Sequence, residues 1–158
     1  EEVLATPEGL RQSLLPMRTD GDVKNCTADS LAKVLLGVPD VQPKLIGLLF
    51  DKIPEYFDVE DEGMCVSESI PRLIIGQMKW IEALLPDSRV TEHLLTLIQI
   101  CPLPIQREAI SALPEIVMDG EHAHVVEALK GVLDTEPRCT NAILDALSNL
   151  SLESHLLE

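Results

Sequence analysis

Prolines divide the apolar parts of this sequence into segments of helical length. The stretch LLGVPDVQPKLIGLLFDKIPEYF, residues 35 to 57, carries an apolar run between Pro43 and Pro54, and the Leu-Pro-Glu of 113–115 repeats the Ile-Pro-Glu of 53–55. Proline fits the first turn of an α-helix but interrupts the interior of one. The prolines therefore predict helix boundaries, and their recurrence indicates a chain of several short helices.

Amphipathic spacing and capping signals place about eight helices along the chain, and no strand pattern competes with them. Thr6 and Asp40 are predicted to cap the first and third helices, and Gly37 is predicted to end the second. The predicted helices are 7–15, 28–36, 41–53, 70–85, 90–100, 104–117, 121–133 and 138–150. These patterns predict an all-α fold.

An internal repeat refines this prediction. An offset of 34 aligns Leu95 with Leu129, Ile98 with Val132, Ile105 with Cys139, Ala112-Leu113 with Ala146-Leu147, and Ile116 with Leu150. Short connections make neighbouring helices antiparallel, and repeated hairpins stack into an extended surface. We therefore predict a fragment of an antiparallel helical-hairpin (HEAT-like) solenoid. Residues 1–158 are expected to form one segment of a longer protein, with the best-defined repeats in 88–150.

Composition narrows the classes of function. Hydrophobic residues make up 46% of the chain with only one Trp, one Tyr and two Phe, so the core is expected to be aliphatic. The formal charge of -15 repels phosphate and disfavours direct binding of nucleic acid. No apolar run is long enough to span a membrane. The four cysteines lack metal-site spacing and are predicted to be free, buried thiols in a reducing compartment: Cys26, Cys65, Cys101 and Cys139.

The acidic loop of residues 58–69 partly matches the register of an EF-hand calcium site. Asp58, Glu60 and Glu62 match the first, third and fifth positions of an EF-hand loop, but Ser69 occupies the twelfth position, where a bidentate Glu is required. We interpret the loop as a solvated connection.

No catalytic, cofactor or metal site is predicted. His122 and His124 are two residues apart, which places them on different faces of a helix, and both are predicted to lie on the surface. No Gly-rich phosphate loop is present. Trp80, the single tryptophan, is interpreted as partly buried packing rather than as a contact for a partner.

Four segments resemble, in order, the N-terminal helical solenoid of the Fanconi anaemia group D2 family. They are SLAKVLLGVPDVQPKLIGLLFDKIPEYF, IPRLIIGQMKWIEALL, ISALPEIVMDGEHAHV and AILDALSNLSLESHLL. The similarity runs from Ser30 to Leu157, and residues 1–29 match loosely. It implies a non-catalytic nuclear scaffold of DNA interstrand-crosslink repair that pairs with the Fanconi group I paralogue. When monoubiquitinated elsewhere in the chain, such a scaffold clamps double-stranded DNA.

The resemblance also implies a possible contact with ubiquitin. A CUE-like element of the family would place its proline at Pro102 and its leucine pair at Val132 and Leu133, which makes an autonomous ubiquitin-binding module within 88–150 the alternative function. This sequence departs from that element, because ICPLP lacks the Met-Phe before the proline and Val132 replaces a leucine. We interpret the three residues as core of the repeat.

Overall fold

The computed structural model describes residues 6–17, 29–57 and 69–150. These ranges contain eight α-helices and no named strand, so the all-α prediction is confirmed. The helices are α1 (Pro7–Leu14), α2 (Leu31–Leu36), α3 (Gln42–Lys52), α4 (Ile70–Met78), α5 (Val90–Ile100), α6 (Leu103–Ile116), α7 (His122–Thr135) and α8 (Thr140–Asn149). Short 3₁₀ turns cover Ile53–Tyr56, Pro86–Ser88, Asp119–Glu121 and Pro137–Cys139.

The chain divides into two compact units, Glu1–Ser88 and Arg89–Glu158. Each unit has its own aliphatic core. In the first unit, α1 contacts α2 and α4, and α3 contacts α2 and the turn Pro86–Ser88. The single solenoid segment expected for residues 1–158 stays a prediction.

Capping follows the sequence at α1 and departs from it at α3. The Thr6 hydroxyl accepts a hydrogen bond from the Gly9 amide at 3.2 Å, and Pro7 is the first helical residue, as predicted. The predicted cap at Asp40 is wrong, because α3 begins at Gln42 with no side-chain cap. The Gln42 side chain is instead turned inward and is 3% exposed.

Helix α4 is shorter than predicted because Gln42 holds the chain that follows it. The helix ends at Met78 rather than at residue 85. Gln42 Nε2 donates to the carbonyl oxygens of Leu36 at 2.8 Å and Ala83 at 3.0 Å, and its Oε1 accepts from the Leu85 amide at 2.8 Å. Two of these bonds satisfy the Ala83 carbonyl and the Leu85 amide, which would need helical partners if α4 continued.

The second unit consists of antiparallel hairpins. Thr91, at the start of α5, donates its hydroxyl proton to Glu121, just before α7, at 2.6 Å. Gln106, in the first turn of α6, donates to the carbonyl of Ile98 in the last turn of α5 at 2.8 Å. Helix α5 therefore runs opposite to α6 and in the same direction as α7. Contacts between α5 and α7 and between α6 and α8 give two layers.

The 34-residue offset relates equivalent positions of these layers. It superposes α5 on α7 and α6 on α8, and the paired residues are buried in both copies except Leu147, which is half-buried. The predicted repeat is thus seen in the burial pattern, since each copy directs the same positions into the core.

Pro114 does not mark a helix boundary, contrary to the general prediction from the prolines but in agreement with the helix predicted over 104–117. Pro114 lies inside α6, which continues to Ile116. A proline here cannot donate the hydrogen bond that a helical residue makes to the carbonyl four residues earlier. Leu113 and Ile116, on either side, are 0% and 7% exposed, and their burial favours continuing the helix.

Candidate functional site

The three predicted ubiquitin-contacting residues lie at one end of the second unit. Pro102 is the N-cap residue of α6 and is exposed, whereas Val132 and Leu133 belong to the last turn of α7. Val132 is 8% exposed and Leu133 is half-buried. The structure therefore places Pro102 and Leu133 within reach of solvent and Val132 in the repeat core. Their role in binding ubiquitin stays a prediction.

A buried glutamine connects the helices at this end. Besides its bond to Ile98, Gln106 accepts a hydrogen bond from the Cys139 thiol at 3.1 Å. Both side chains are buried, with Cys139 at 0% exposure. Gln106 thus joins the end of α5 to the turn before α8. No signal in the sequence singles out Gln106, because a glutamine in the first turn of a helix resembles a surface residue.

An ion pair lies on the outside of the same end. Arg138 donates two hydrogen bonds of 2.7 Å to the two carboxylate oxygens of Glu136, and Arg107 donates to the Arg138 carbonyl at 2.8 Å. The hydrogen bond from Arg138 lowers the pKa of Glu136, and the same bond raises the pKa of Arg138. Both groups remain charged at neutral pH. The pair therefore presents fixed charges at this end of the unit and carries no group poised for proton transfer.

The two described cysteines are free thiols with suppressed ionisation. Burial raises the pKa of Cys101 to about 12 and also raises the pKa of Cys139. Since the thiolate is the nucleophilic form, neither residue is activated for covalent chemistry. Cys139 is buried as predicted, while Cys101 is half-buried. Cys26 and Cys65 lie outside the described residues.

The histidines differ from the prediction. His124 is exposed as expected, but His122 is 5% exposed, so its predicted surface position is wrong. His122 Nε2 lies 3.3 Å from the Val117 carbonyl oxygen. This contact at the α6–α7 turn draws the ring inward.

Within the described ranges, no three or more His, Cys, Asp or Glu side chains are grouped to hold a metal ion. Residues 58–68 of the acidic loop 58–69 lie outside the described residues.

Trp80 also departs from its predicted packing. It lies in the turn after α4, and its amide donates to the Gln77 carbonyl at 3.2 Å. Its side chain is 66% exposed. The prediction assumed that helix α4 would continue through Trp80. Because the helix ends at Met78, the indole leaves the amphipathic face on which it was expected to pack.

The fold and the order of these segments can be compared with known proteins. A family model described as "Fanconi anaemia protein FancD2 nuclease" matches residues 1–158. This chain belongs to the FancD2 family. The resemblance found in the sequence is thereby confirmed and now includes residues 1–29.

Curated relatives agree with this assignment. The chain is 38% identical over 144 residues to the Fanconi anemia group D2 protein of Gallus gallus, covering 90% of this chain and 10% of that protein. It is 38% and 36% identical over 130 residues to the homologs of Rattus norvegicus and Mus musculus, covering 81% of this chain and 9% of each of them. The FancD2 segment described above therefore spans about a tenth of the length of these relatives.

Among the residues that the structure describes, no helix has the length and apolar character needed to cross a membrane.

Proposed function

We propose that this FancD2 chain is a non-catalytic scaffold segment of a nuclear DNA interstrand-crosslink repair protein. In the full-length protein it supports pairing with the Fanconi group I paralogue. When the protein is monoubiquitinated elsewhere in the chain, the pair clamps double-stranded DNA. The family match over residues 1–158 carries this proposal.

The second unit supports a scaffolding role. Hairpins arranged in two layers leave one face of each helix available for a partner, as in other stacked repeats. The charge of -15 fits a segment that acts through protein surfaces while basic regions elsewhere contact DNA.

Pairing with the paralogue is tested by size-exclusion chromatography of the full-length protein with its paralogue. Deletion of this segment is expected to weaken the complex, and an unchanged complex would contradict the scaffold role.

DNA binding provides a separate test. The isolated 158-residue chain is expected not to bind a fluorescein-labelled 40-base-pair duplex in about 150 mM salt, since a phosphate backbone and an acidic surface repel one another. The full-length pair is expected to bind the same duplex. Tight binding by the isolated chain would contradict a purely supporting role.

The word nuclease in the family description calls for a direct assay. Phosphodiester hydrolysis by a two-metal mechanism requires acidic ligands that hold two cations about 4 Å apart. We propose that this segment supplies no such centre. The chain is expected to leave a labelled branched DNA intact with Mg²⁺ or Mn²⁺. Cleavage that follows the chain through purification and is lost after Asp or Glu substitution would refute the non-catalytic assignment.

A contact with ubiquitin is proposed only as a property of the scaffold. An autonomous ubiquitin-binding module is not favoured, because Val132 is buried at the position that repeats Ile98. Titration of the isotope-labelled chain with ubiquitin tests the contact. Saturable shifts at Pro102 and Leu133 that disappear in a folded Leu133→Ala variant, but persist in Leu144→Ala, would support it. Equal shifts in both variants, or none, would remove ubiquitin from the partners of this segment.

A further inference from the structure

The first unit contains a groove that the proposed scaffold role does not use. Its volume is about 310 Å³, and its walls are the end of α2 and the turn that follows α4. Gln42 forms part of its lining, and the three hydrogen bonds of this side chain hold the two walls together. The groove is therefore a built feature of the first unit rather than a gap between loosely placed segments.

An exposed aromatic ring lies at this groove. Trp80 lines it and is 66% exposed, and Val34 on the opposite helix is 50% exposed. Tryptophan is highly buried on average, and exposed tryptophans are enriched at the centres of protein interfaces. An indole ring can pack against an aliphatic side chain and also attract a cation to its face.

The charges of the groove favour a cationic occupant. Lys33 donates to Asp29 at 2.7 Å, so these two lining charges neutralise one another. Glu82 also lines the groove, is exposed, and has no ion pair or hydrogen bond to its side chain among the described residues. The remaining groove charge is thus negative. The net charge of -15 on the whole chain adds a long-range attraction for a positive partner.

The same charges argue against other occupants. A second copy of this chain also carries -15, so two copies repel one another as they approach. Nucleic acid and phosphate-bearing ligands are repelled for the same reason. A volume of about 310 Å³ lies at the lower end of small-molecule pockets and matches one or two amino-acid side chains.

We propose that this groove binds a basic linear peptide of a partner protein. An arginine or lysine of the peptide stacks on the face of Trp80 and pairs with Glu82. A neighbouring aliphatic residue packs against Val34. The first unit thereby acts as a docking site for a short cationic motif, independently of ubiquitin or DNA. Since the groove uses only residues of the first unit, failure of this inference leaves the scaffold proposal intact.

Fluorescence anisotropy of the 158-residue chain with three labelled peptides tests the inference. The probe is GLRALRG, and the matched peptides GLEALEG and GSRASRG replace its arginines or its leucines. We expect saturable binding of GLRALRG below about 1 mM, weaker binding of GSRASRG and no binding of GLEALEG. Binding is also expected to weaken with added salt, because the pair with Glu82 is exposed.

Variants locate the binding in the groove. Glu82→Gln keeps the shape of the side chain and is expected to weaken binding about two- to fivefold. Trp80→Ala is expected to weaken it by about 30-fold or more, as for a hot-spot residue. Asp134→Asn, an exposed acid on α7, is the matched control and is expected to change nothing. Circular dichroism checks that each variant folds.

Several outcomes would overturn the inference. These are equal binding of the acidic peptide, absence of saturation with GLRALRG, and unchanged binding of GLRALRG in both groove variants. Concentration-dependent self-association that Trp80→Ala abolishes would also overturn it, because the occupant would then be a second copy of the chain.

Discussion

Replacement of Gln42 by leucine is expected to destabilise the first unit by about 3 kcal/mol. The wild-type side chain makes three hydrogen bonds, of 2.8, 3.0 and 2.8 Å, and is 3% exposed. Each such bond has a net value of about 1 kcal/mol, and a partner left unsatisfied in the interior adds to the loss. Leucine has a similar size but restores none of these bonds.

Two measurements separate the global and local parts of this loss. Urea unfolding followed by circular dichroism gives the free energy of unfolding. Hydrogen exchange at the Leu85 amide reports its bond to Gln42 directly. If breaking this bond limits the local opening that exposes the amide, a loss of about 3 kcal/mol corresponds to roughly 100-fold faster exchange. Trp80 fluorescence is a less suitable probe, since this residue is already 66% exposed in the folded protein.

Gln12→Leu is the matched control. Gln12 is exposed on α1 and makes one hydrogen bond, to Glu8 at 2.9 Å, so its replacement is expected to cost less than about 0.5 kcal/mol. A loss below about 1 kcal/mol in Gln42→Leu, with unchanged exchange at Leu85, would refute the assignment of Gln42 as the residue that ends α4.

Three further predictions concern the second unit. Leu129 is 0% exposed, and Leu129→Ala is expected to lower the free energy of unfolding by about 2–5 kcal/mol in the same urea assay. Leu144 is 55% exposed, and Leu144→Ala is expected to change this free energy by less than about 0.5 kcal/mol. Cys101, with its pKa raised to about 12, is expected to react with iodoacetamide more slowly than N-acetylcysteine at about pH 9, as followed by mass spectrometry. The NMR titration midpoint of the Glu136 carboxyl is expected below that of an unperturbed glutamate, because the hydrogen bond from Arg138 lowers its pKa, and Arg138→Ala is expected to raise it.

The sign of the Glu136 effect follows from the charged form being favoured in the folded chain. Because folding lowers its pKa, the Glu136 carboxyl stabilises the folded chain at pH values above the ordinary pKa of glutamate. This stabilisation is lost as the pH falls through the folded-state pKa. A midpoint at or above that of an unperturbed glutamate, or one unaffected by Arg138→Ala, would contradict the role of the hydrogen bond. Equal losses in the two leucine variants, or free-thiol reactivity at Cys101, would contradict the other two predictions.

Most helices could be predicted because the signals that form them are local. The start of α1 is set by Thr6 and Pro7, whose capping and first-turn roles involve only the four residues from Thr6 to Gly9. The apolar spacing of α5 and α6 recurs 34 residues later in α7 and α8. The end of α4 could not be predicted, since the competing hydrogen bonds come from Gln42, 41 and 43 positions away from the groups that it binds. Local propensity contains no information about such a partner.

The candidate sites depended even more on tertiary structure. The resemblance indicated Pro102, Val132 and Leu133 as residues that contact ubiquitin. Only the fold shows that Pro102 is exposed and that Val132 is buried. Burial of His122 and exposure of Trp80 were both mispredicted from residue type and helical spacing. In each case the deciding feature is a turn: one draws the imidazole towards the Val117 carbonyl, and the other releases the indole from its helix.

The equivalence of positions across 34 residues limits where this chain can change length. One residue inserted in α7 before Leu129 would rotate every later side chain of that helix by about 100°, so Leu129 would leave the core. An insertion in the turns Asp119–Glu121 or Pro137–Cys139 would displace no helical face. Differences in length among FancD2 proteins should therefore accumulate between these helices, and an alignment that opens a gap inside one of them should be shifted to the adjoining turn.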